Sequence, residues 1–239
     1  AASHTLPLEL PPGTGGMTPQ LALQYSSQAR GDSWVGSGWS LGLPAITRSL
    51  KDGVPLYDDE ADVFELAGQE LVPETPNPAL PRRYHTLRES FVRIVHEANN
   101  SWTLTRKDGV ALRFGVTAPA RLANASGQVF QWLLEQQEDR HGNAFVASYD
   151  RRDPGTAYLA TIRYTLRRAA GGALQSLDGN PAKDRRVEFV LESAPRSDVD
   201  SMVRTCPCLS EGKALTIRST VGAAPFMCRI KIKKINIKE

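Results

Sequence analysis

Alternation with a period of two is the strongest constraint this sequence places on its fold. Leu21, Leu23 and Tyr25 fall on one face of an extended segment, with Ala22 and Gln24 on the other. Val110, Leu112 and Phe114 alternate with Ala111 and Arg113. Tyr158, Ala160, Ile162, Tyr164 and Leu166 alternate with Leu159, Thr161, Arg163 and Thr165, and Val187, Phe189 and Leu191 with Glu188 and Val190. Successive side chains of a strand point to opposite faces, so such runs make half-buried strands. Turn signals separate them: Lys51-Asp52-Gly53, Lys107-Asp108-Gly109, Arg140-His141-Gly142-Asn143, Asp153-Pro154-Gly155 and Leu177-Asp178-Gly179-Asn180. Gly, Asp and Asn tolerate the positive φ that tight turns need. The pattern predicts an all-β fold, an antiparallel meander or spiral of short strands with little helix.

Residues 129–138 (VFQWLLEQQE) suit an amphipathic helix or a strand; the strand is favoured because a turn and a further strand at 145–149 follow at once. The stretch 73–83 holds four prolines and reads as a loop dividing an opening unit, 1–72, from a hairpin region, 84–192. Residues 193–239 form a separate C-terminal segment, rich in Ser, Pro and charge up to 212. It ends in Lys and Ile, where Ile230 and Ile232 share one face while Ile235 and Ile237 share the other. A bulge near Lys233-Lys234 reconciles the two phases.

Hydrophobic residues make up 41% of the 239, enough for a core, but no apolar run approaches the roughly 20 residues of a membrane helix. The net charge of +3 is scattered rather than gathered in a basic stripe with interleaved aromatics, which disfavours nucleic acid as a partner. In the tail, Lys231, Lys233 and Lys234 suit the solvent face of an edge strand or a patch for an anionic partner. No signal-peptide pattern opens the chain, though an Ala1-Ala2 start is compatible with cleavage upstream.

Candidates for chemistry are sparse. Cys206, Cys208 and Cys228 offer three thiolates, one short of a structural zinc site, and the four histidines (His4, His85, His96, His141) lie far from them in sequence. Free or buried thiols are the favoured reading. Asp58, Asp59, Glu60 and Asp62 cluster without a calcium loop's fixed spacing, so a solvated acidic turn is expected. No pair of carboxylates stands out as a glycosidase acid and nucleophile. His141 sits in a turn with no nucleophile beside it. No Gly-x-Gly-x-x-Gly match precedes a helix, which disfavours a nucleotide site. Asn99-Asn100-Ser101 and Asn124-Ala125-Ser126 are glycosylation sequons. No catalytic residue, cofactor or metal is expected.

The most unusual segment is 10–43. Gly13, Gly15 and Gly16 open it, Pro19 precedes a strand, and Gly31, Gly36, Gly38 and Gly42 interleave with Trp34 and Trp39. Each Gly costs roughly 0.5–1 kcal/mol against Ala in a regular element. This density implies positive φ or backbones too close for a Cβ, with Trp39 as an aromatic plug on a glycine-lined surface. The run Pro11-Pro12-Gly13-Thr14-Gly15-Gly16, then Pro19, a strand ending Tyr25-Ser26-Ser27, and Gly36-Ser37-Gly38-Trp39-Ser40-Leu41-Gly42 resembles the opening of the SpvB family, which includes virulence plasmid protein B and the TcB/TcaC-like B components of insecticidal toxin complexes. The run 62–72, with Asp62, Phe64 and Gly68, resembles the family's next strand pair. Lys107-Asp108-Gly109 with Phe114-Gly115, and 132–135 with 139–143 and Tyr149, resemble later hairpins. Asp-x-x-Gly-Asn is also similar to Rhs/YD repeats. The resemblance covers about 3–190.

It implies a non-catalytic part of a β-shell, a cocoon-like wall that encloses or carries a toxic C-terminal effector. The partners implied are other shell domains, a toxin-complex C-type or Rhs partner and the cargo, and the implied location is extracellular after synthesis in the bacterial cytoplasm. The family's actin ADP-ribosyltransferase would need an Arg, Ser-Thr-Ser and Glu-x-Glu or Gln-x-Glu. Only Gln136-Gln137-Glu138 fits the last pattern. The rival reading is a carbohydrate or cell-surface binding module, with Trp34, Trp102, Trp132, Tyr57 and Tyr84 as an exposed aromatic platform; the alternative for each Trp is the core.

Overall fold

Nearly every regular element is a strand. In chain order they are β1 (Ser3–Leu8), β2 (Leu21–Ser26), β3 (Asp32–Ser33), β4 (Gly36–Ser37), β5 (Trp39–Leu41), β6 (Ala45–Arg48), β7 (Phe64–Leu66), β8 (Gln69–Pro73), β9 (Arg82–Thr86), β10 (Arg93–His96) and β11 (Trp102–Thr105). Then come β12 (Ala111–Phe114), β13 (Arg121–Ala123), β14 (Val129–Glu138), β15 (Asn143–Asp150), β16 (Tyr158–Arg168), β17 (Leu174–Ser176), β18 (Arg185–Leu191), β19 (Asp200–Thr205), β20 (Thr216–Val221) and β21 (Ile232–Lys238). This computed structural model describes residues 2–28, 32–151, 156–177, 179–181, 184–191, 200–205, 216–221 and 232–238. The ambiguous segment 129–138 is strand throughout.

Strands β6 to β12 run as an antiparallel meander, each bonded to the next, and β14 pairs with both β6 and β12. That double pairing closes an eight-stranded barrel. Closure removes the unpaired edges that an open meander would present. One set of alternating positions points inward: Ile46 and Arg48 on β6, Arg82, Tyr84 and Thr86 on β9, Ile94 and His96 on β10, Trp102 and Leu104 on β11, Leu112 and Phe114 on β12. An eight-stranded barrel is just wide enough for side chains to fill it. Here the filling is aromatic. The Phe64 ring lies 4.9 Å from that of Trp102, 5.7 Å from Trp132 and 5.8 Å from Tyr84.

The proline-rich 73–83 stretch connects β8 to β9, hydrogen-bonded neighbours in this one barrel. Strands from both sides of it, β6–β8 and β9–β14, therefore share a single core.

A bulge interrupts β14 where it pairs with β12. Phe114 pairs with Leu134 and Arg113 with Gln136, so Glu135 is the extra residue. Beyond it Gln136, Gln137 and Glu138 bond β12 on one side and β15 on the other. From there the sheet continues through β15, β16, β18 and β21. The tail strand pairs Val190 with Lys234 and Leu191 with Ile232, so the register skips Lys233. This is the irregularity that the split isoleucine phase required. β19 and β20 form a separate ribbon. The opening of the chain makes a small sheet of its own, ordered β1–β2–β5.

The aromatic platform of the rival reading does not form, and for Trp102 and Trp132 its alternative, the core, holds. Trp102 and Trp132 are fully buried and Tyr84 is 2% exposed, all inside the barrel. Trp34 is half-buried with its ring edge-on to Phe189, and Tyr57 is half-buried beneath the Arg48 guanidinium. Sequence patterning could not separate inward from outward aromatics because it does not show that the meander closes.

Candidate functional site

Some of the motif residues fall into two clusters, and the others lie in the small sheet and the β7–β8 turn. The first is where the opening turn docks. Pro11 and Pro12 lead into a single 3-10 turn, Thr14–Gly16. The Gly13 N–H donates to Thr18 Oγ1 at 2.7 Å, and the Thr18 N–H to the Gly16 carbonyl at 2.8 Å. Gly15 has φ of 60°, and a Cβ there would lie 2.5 Å from Asn143 Nδ2. The turn thus packs against the 139–143 hairpin turn. Arg185 donates to the Pro12 carbonyl, and Gln137 Nε2 reaches the buried Met17 sulfur at 3.5 Å. Pro19 is buried and Gly16 exposed.

The hairpin turn is itself organised by Asp139. Its carboxylate accepts from the His141 N–H at 2.7 Å, the Asn143 N–H at 3.0 Å and Asn143 Nδ2 at 2.8 Å. Burial would raise its pKa, but those donors outweigh burial and hold the carboxyl below the usual range. His141 is exposed; its N–H donates to Asp139 and its Nε2 accepts from Arg140 Nε at 3.2 Å.

In the small sheet, Gly38 has φ of 70°, and a Cβ would lie 2.9 Å from the Tyr25 ring. Its carbonyl accepts from the Ser26 N–H at 2.8 Å. Trp39 is half-buried, 5.3 Å from the Tyr25 ring and 6.5 Å from His4. It therefore packs on aromatics rather than on a glycine surface. Leu41 pairs with Leu23, the Gly42 N–H donates to the Ala22 carbonyl, and Gly36 lies in β4. Gly68 follows Ala67 in the β7–β8 hairpin turn, both at positive φ.

The second cluster fills the barrel end under the 49–63 loop. Arg48 is 6% exposed. Its Nε donates to the Val129 carbonyl at 2.9 Å, Nη1 to Asp62 at 2.8 Å and Nη2 to Asp59 at 2.6 Å. Its guanidinium lies 4.8 Å from the Phe64 ring centre. Asp62 also accepts from the Leu56 and Tyr57 N–H groups, each at 2.7 Å. Arg82 donates to the Asp59 carbonyl at 3.0 Å and to that of Thr75 at 3.2 Å. His96 stacks on Trp102 at 4.2 Å with 2° between the planes. The Trp132 indole N–H donates to the Asn100 carbonyl at 2.9 Å.

Sequence reasoning found Asp62 and Phe64 but missed Arg48, Arg82 and His96. Their polarity on strands argued for solvent, whereas the alternation placed them inside. The acidic 58–62 turn is not the solvated turn expected: Asp59 and Asp62 pair with Arg48, and Asp62 also takes the Leu56 and Tyr57 N–H groups. Among the described residues no group of three or more His, Cys, Asp and Glu side chains is placed to hold a metal. Asn124 is buried and donates to Gln128 at 3.0 Å, so that sequon is structural. Cys206, Cys208, Cys228, Gly31, Asp178, Ile230, Lys231 and the Asp153-Pro154-Gly155 turn lie outside the described residues. Two open depressions of about 360 and 370 Å³ beside the β7–β8 hairpin have no aromatic side chain in their walls. No helix among the described residues is long and apolar enough to cross a membrane.

A closed β-barrel extended by an open sheet, with a glycine-rich turn docked beside the join, defines an all-β structural module. The family model described as Salmonella virulence plasmid 65kDa B protein matches residues 1–89 and 81–170. The chain belongs to the SpvB family. It is similar in structure to the N-terminal domain of effector protein SpvB from Salmonella typhimurium, with a TM-score of 0.68, 24% identity, 95% of this chain and 86% of that one. It is also similar to a chain of the Photorhabdus luminescens Tc holotoxin pore, with a TM-score of 0.69, 23% identity, 94% of this chain and 12% of that one. A TcdB2-TccC3-Cdc42 crystal structure matches at 0.68 and 23% identity, over 94% of this chain and 13% of that one. The chain thus spans about an eighth of those toxin chains. No curated protein matches it.

Proposed function

We propose that this chain is a non-catalytic structural module of a secreted bacterial toxin, one piece of a β-sheet wall that encloses or carries an effector. The observation that carries this reading is the join at β14. A closed, side-chain-filled barrel anchors a sheet that runs on through β15, β16, β18 and β21. A wall needs that combination of a rigid anchor and an extendable sheet. Membership of the SpvB family and likeness to a Tc holotoxin chain support it. The partners are further shell domains, a C-type or Rhs partner and the effector cargo.

The test is co-expression of the full-length protein with its neighbouring shell and effector genes, followed by limited proteolysis. The expected result is a stable complex in which the effector resists protease. An effector digested equally fast with and without this protein overturns the reading. The glycan-binding alternative predicts micromolar binding on a glycan array. The expected result is none, since Trp102, Trp132 and Tyr84 are buried.

A further inference from the structure

His96 is a titratable group placed where a proton changes a contact. Its Nε2 lies 3.0 Å from Asn100 Oδ1. The same oxygen is 3.2 Å from Trp132 Nε1, and an indole N–H can only donate. The amide therefore turns its oxygen, not its nitrogen, toward both rings. His96 Nε2 must then carry the hydrogen, and Nδ1 of the neutral ring is left with a lone pair. That Nδ1 is buried with no hydrogen-bond partner and lies 3.7 Å from Asp59 Oδ2. Two acceptors face each other, one on the barrel wall and the other on the 49–63 loop.

We propose that His96 and Asp59 form an acid-closed latch: a proton taken up at His96 Nδ1 converts this acceptor–acceptor gap into a charge-assisted bond that fastens the 49–63 loop to the barrel end. Asp59 can answer without releasing Arg48, because Arg48 is held by Oδ1 and His96 faces Oδ2. The groups around the imidazole set the strength of the latch. Asp59 favours the proton. Arg48 on β6 and Arg121 on β13 oppose it, and the hydrogen bond to Asn100 favours it. Phe64, Trp102 and Trp132 pack around the ring and keep water out. This burial is the dominant influence and lowers the His96 pKa from its usual 6.5. Arg82, paired in register with His96, directs its Nη groups to the Asp59 and Thr75 carbonyls instead.

The sign for global stability follows. A histidine whose folded pKa is depressed binds protons more readily when unfolded. The stability it contributes is present above 6.5 and is lost as pH falls through the lowered folded value. The loop therefore tightens locally while the domain as a whole loses stability.

The test is ¹⁵N NMR of the histidine rings in the 239-residue chain across pH 4–8. His96 should show the Nε2–H tautomer at neutral pH and titrate with a midpoint below 6.5. Asp59→Asn should lower that midpoint by about 1 unit. Hydrogen exchange at Leu56 and Tyr57, corrected for intrinsic rates, should slow several-fold on acidification in the parent chain and not in Asp59→Asn. An Nδ1–H tautomer at neutral pH, or a ring that stays neutral to pH 4, overturns the latch. So does an unchanged midpoint in Asp59→Asn. Should that variant fail to fold, the tautomer and midpoint of the parent chain decide alone.

Discussion

The barrel and the small opening sheet are built on opposite principles. The opening sheet and its turn carry most of the motif residues: Gly13, Gly15, Gly38, Tyr25 and Trp39. Yet Trp39 and Tyr25 are only half-buried there, and β1 is exposed along almost its whole length. Apart from the 62–72 run, Phe114 and the Trp132-Leu133-Leu134-Glu135 run, the barrel lining carries little sequence signature, and it holds Trp102, Trp132, Phe64, Ile46 and Ile94 at essentially zero exposure. Glycine-rich motifs mark places where backbone geometry admits no substitute. Stability is concentrated where alternating strands bury large side chains, and many residue combinations satisfy that.

The largest expected effect is therefore in the barrel. Trp132→Ala should cost about 3–5 kcal/mol, read by denaturant unfolding. A loss comparable to that of a surface substitution would break the comparison. Arg48→Met comes next. It leaves Asp59 and Asp62 without their cation in a buried setting, and removal of one partner from a buried ion pair costs about 3 kcal/mol. Gly15→Ala should cost about 1–2 kcal/mol through positive-φ strain and collision with Asn143. Its effect should be local, with faster hydrogen exchange in the 139–143 turn and unchanged exchange in β9–β11. Trp39→Ala should cost about 1 kcal/mol, because it removes only a half-buried ring. The smallest effect is at Asp139. Its folded pKa is lowered, so its stabilisation is present above the unfolded value near 3.9 and is lost as pH falls through the folded value. Asp139→Asn should flatten that acid response of the hairpin turn, measured by amide exchange at His141 and Asn143.

Much of the fold was legible because alternation is local. The runs at 110–114, 158–166 and 187–191 lie largely in β12, β16 and β18. The turns at Gly53, Gly109, Gly142 and Gly179 do adopt positive φ. Closure was not legible, since it depends on β14 meeting both β6 and β12, and no short window contains that. The barrel-end cluster was hidden for the same reason. Arg48, Arg82 and His96 alternate in phase with apolar neighbours, yet their chemistry points to solvent. The partners that make their burial tolerable come from elsewhere in the chain: Asp59 and Asp62, 11 and 14 residues away, for Arg48, the Asp59 and Thr75 carbonyls for Arg82, and Asn100 for His96. The docking of Gly15 against Asn143 joins two motifs that had been read separately.

The three residues Gln136, Gln137 and Glu138 serve two ladders at once. In mechanical terms they are a seam. Tension along the open sheet reaches the barrel's hydrogen-bond network through a strip three residues wide, just past the Glu135 bulge. The seam is braced by Arg168, whose guanidinium grips Glu138, and by Gln137 on Met17 beneath the opening turn. The Gln136-Gln137-Glu138 triplet thus stands where the open sheet meets the barrel.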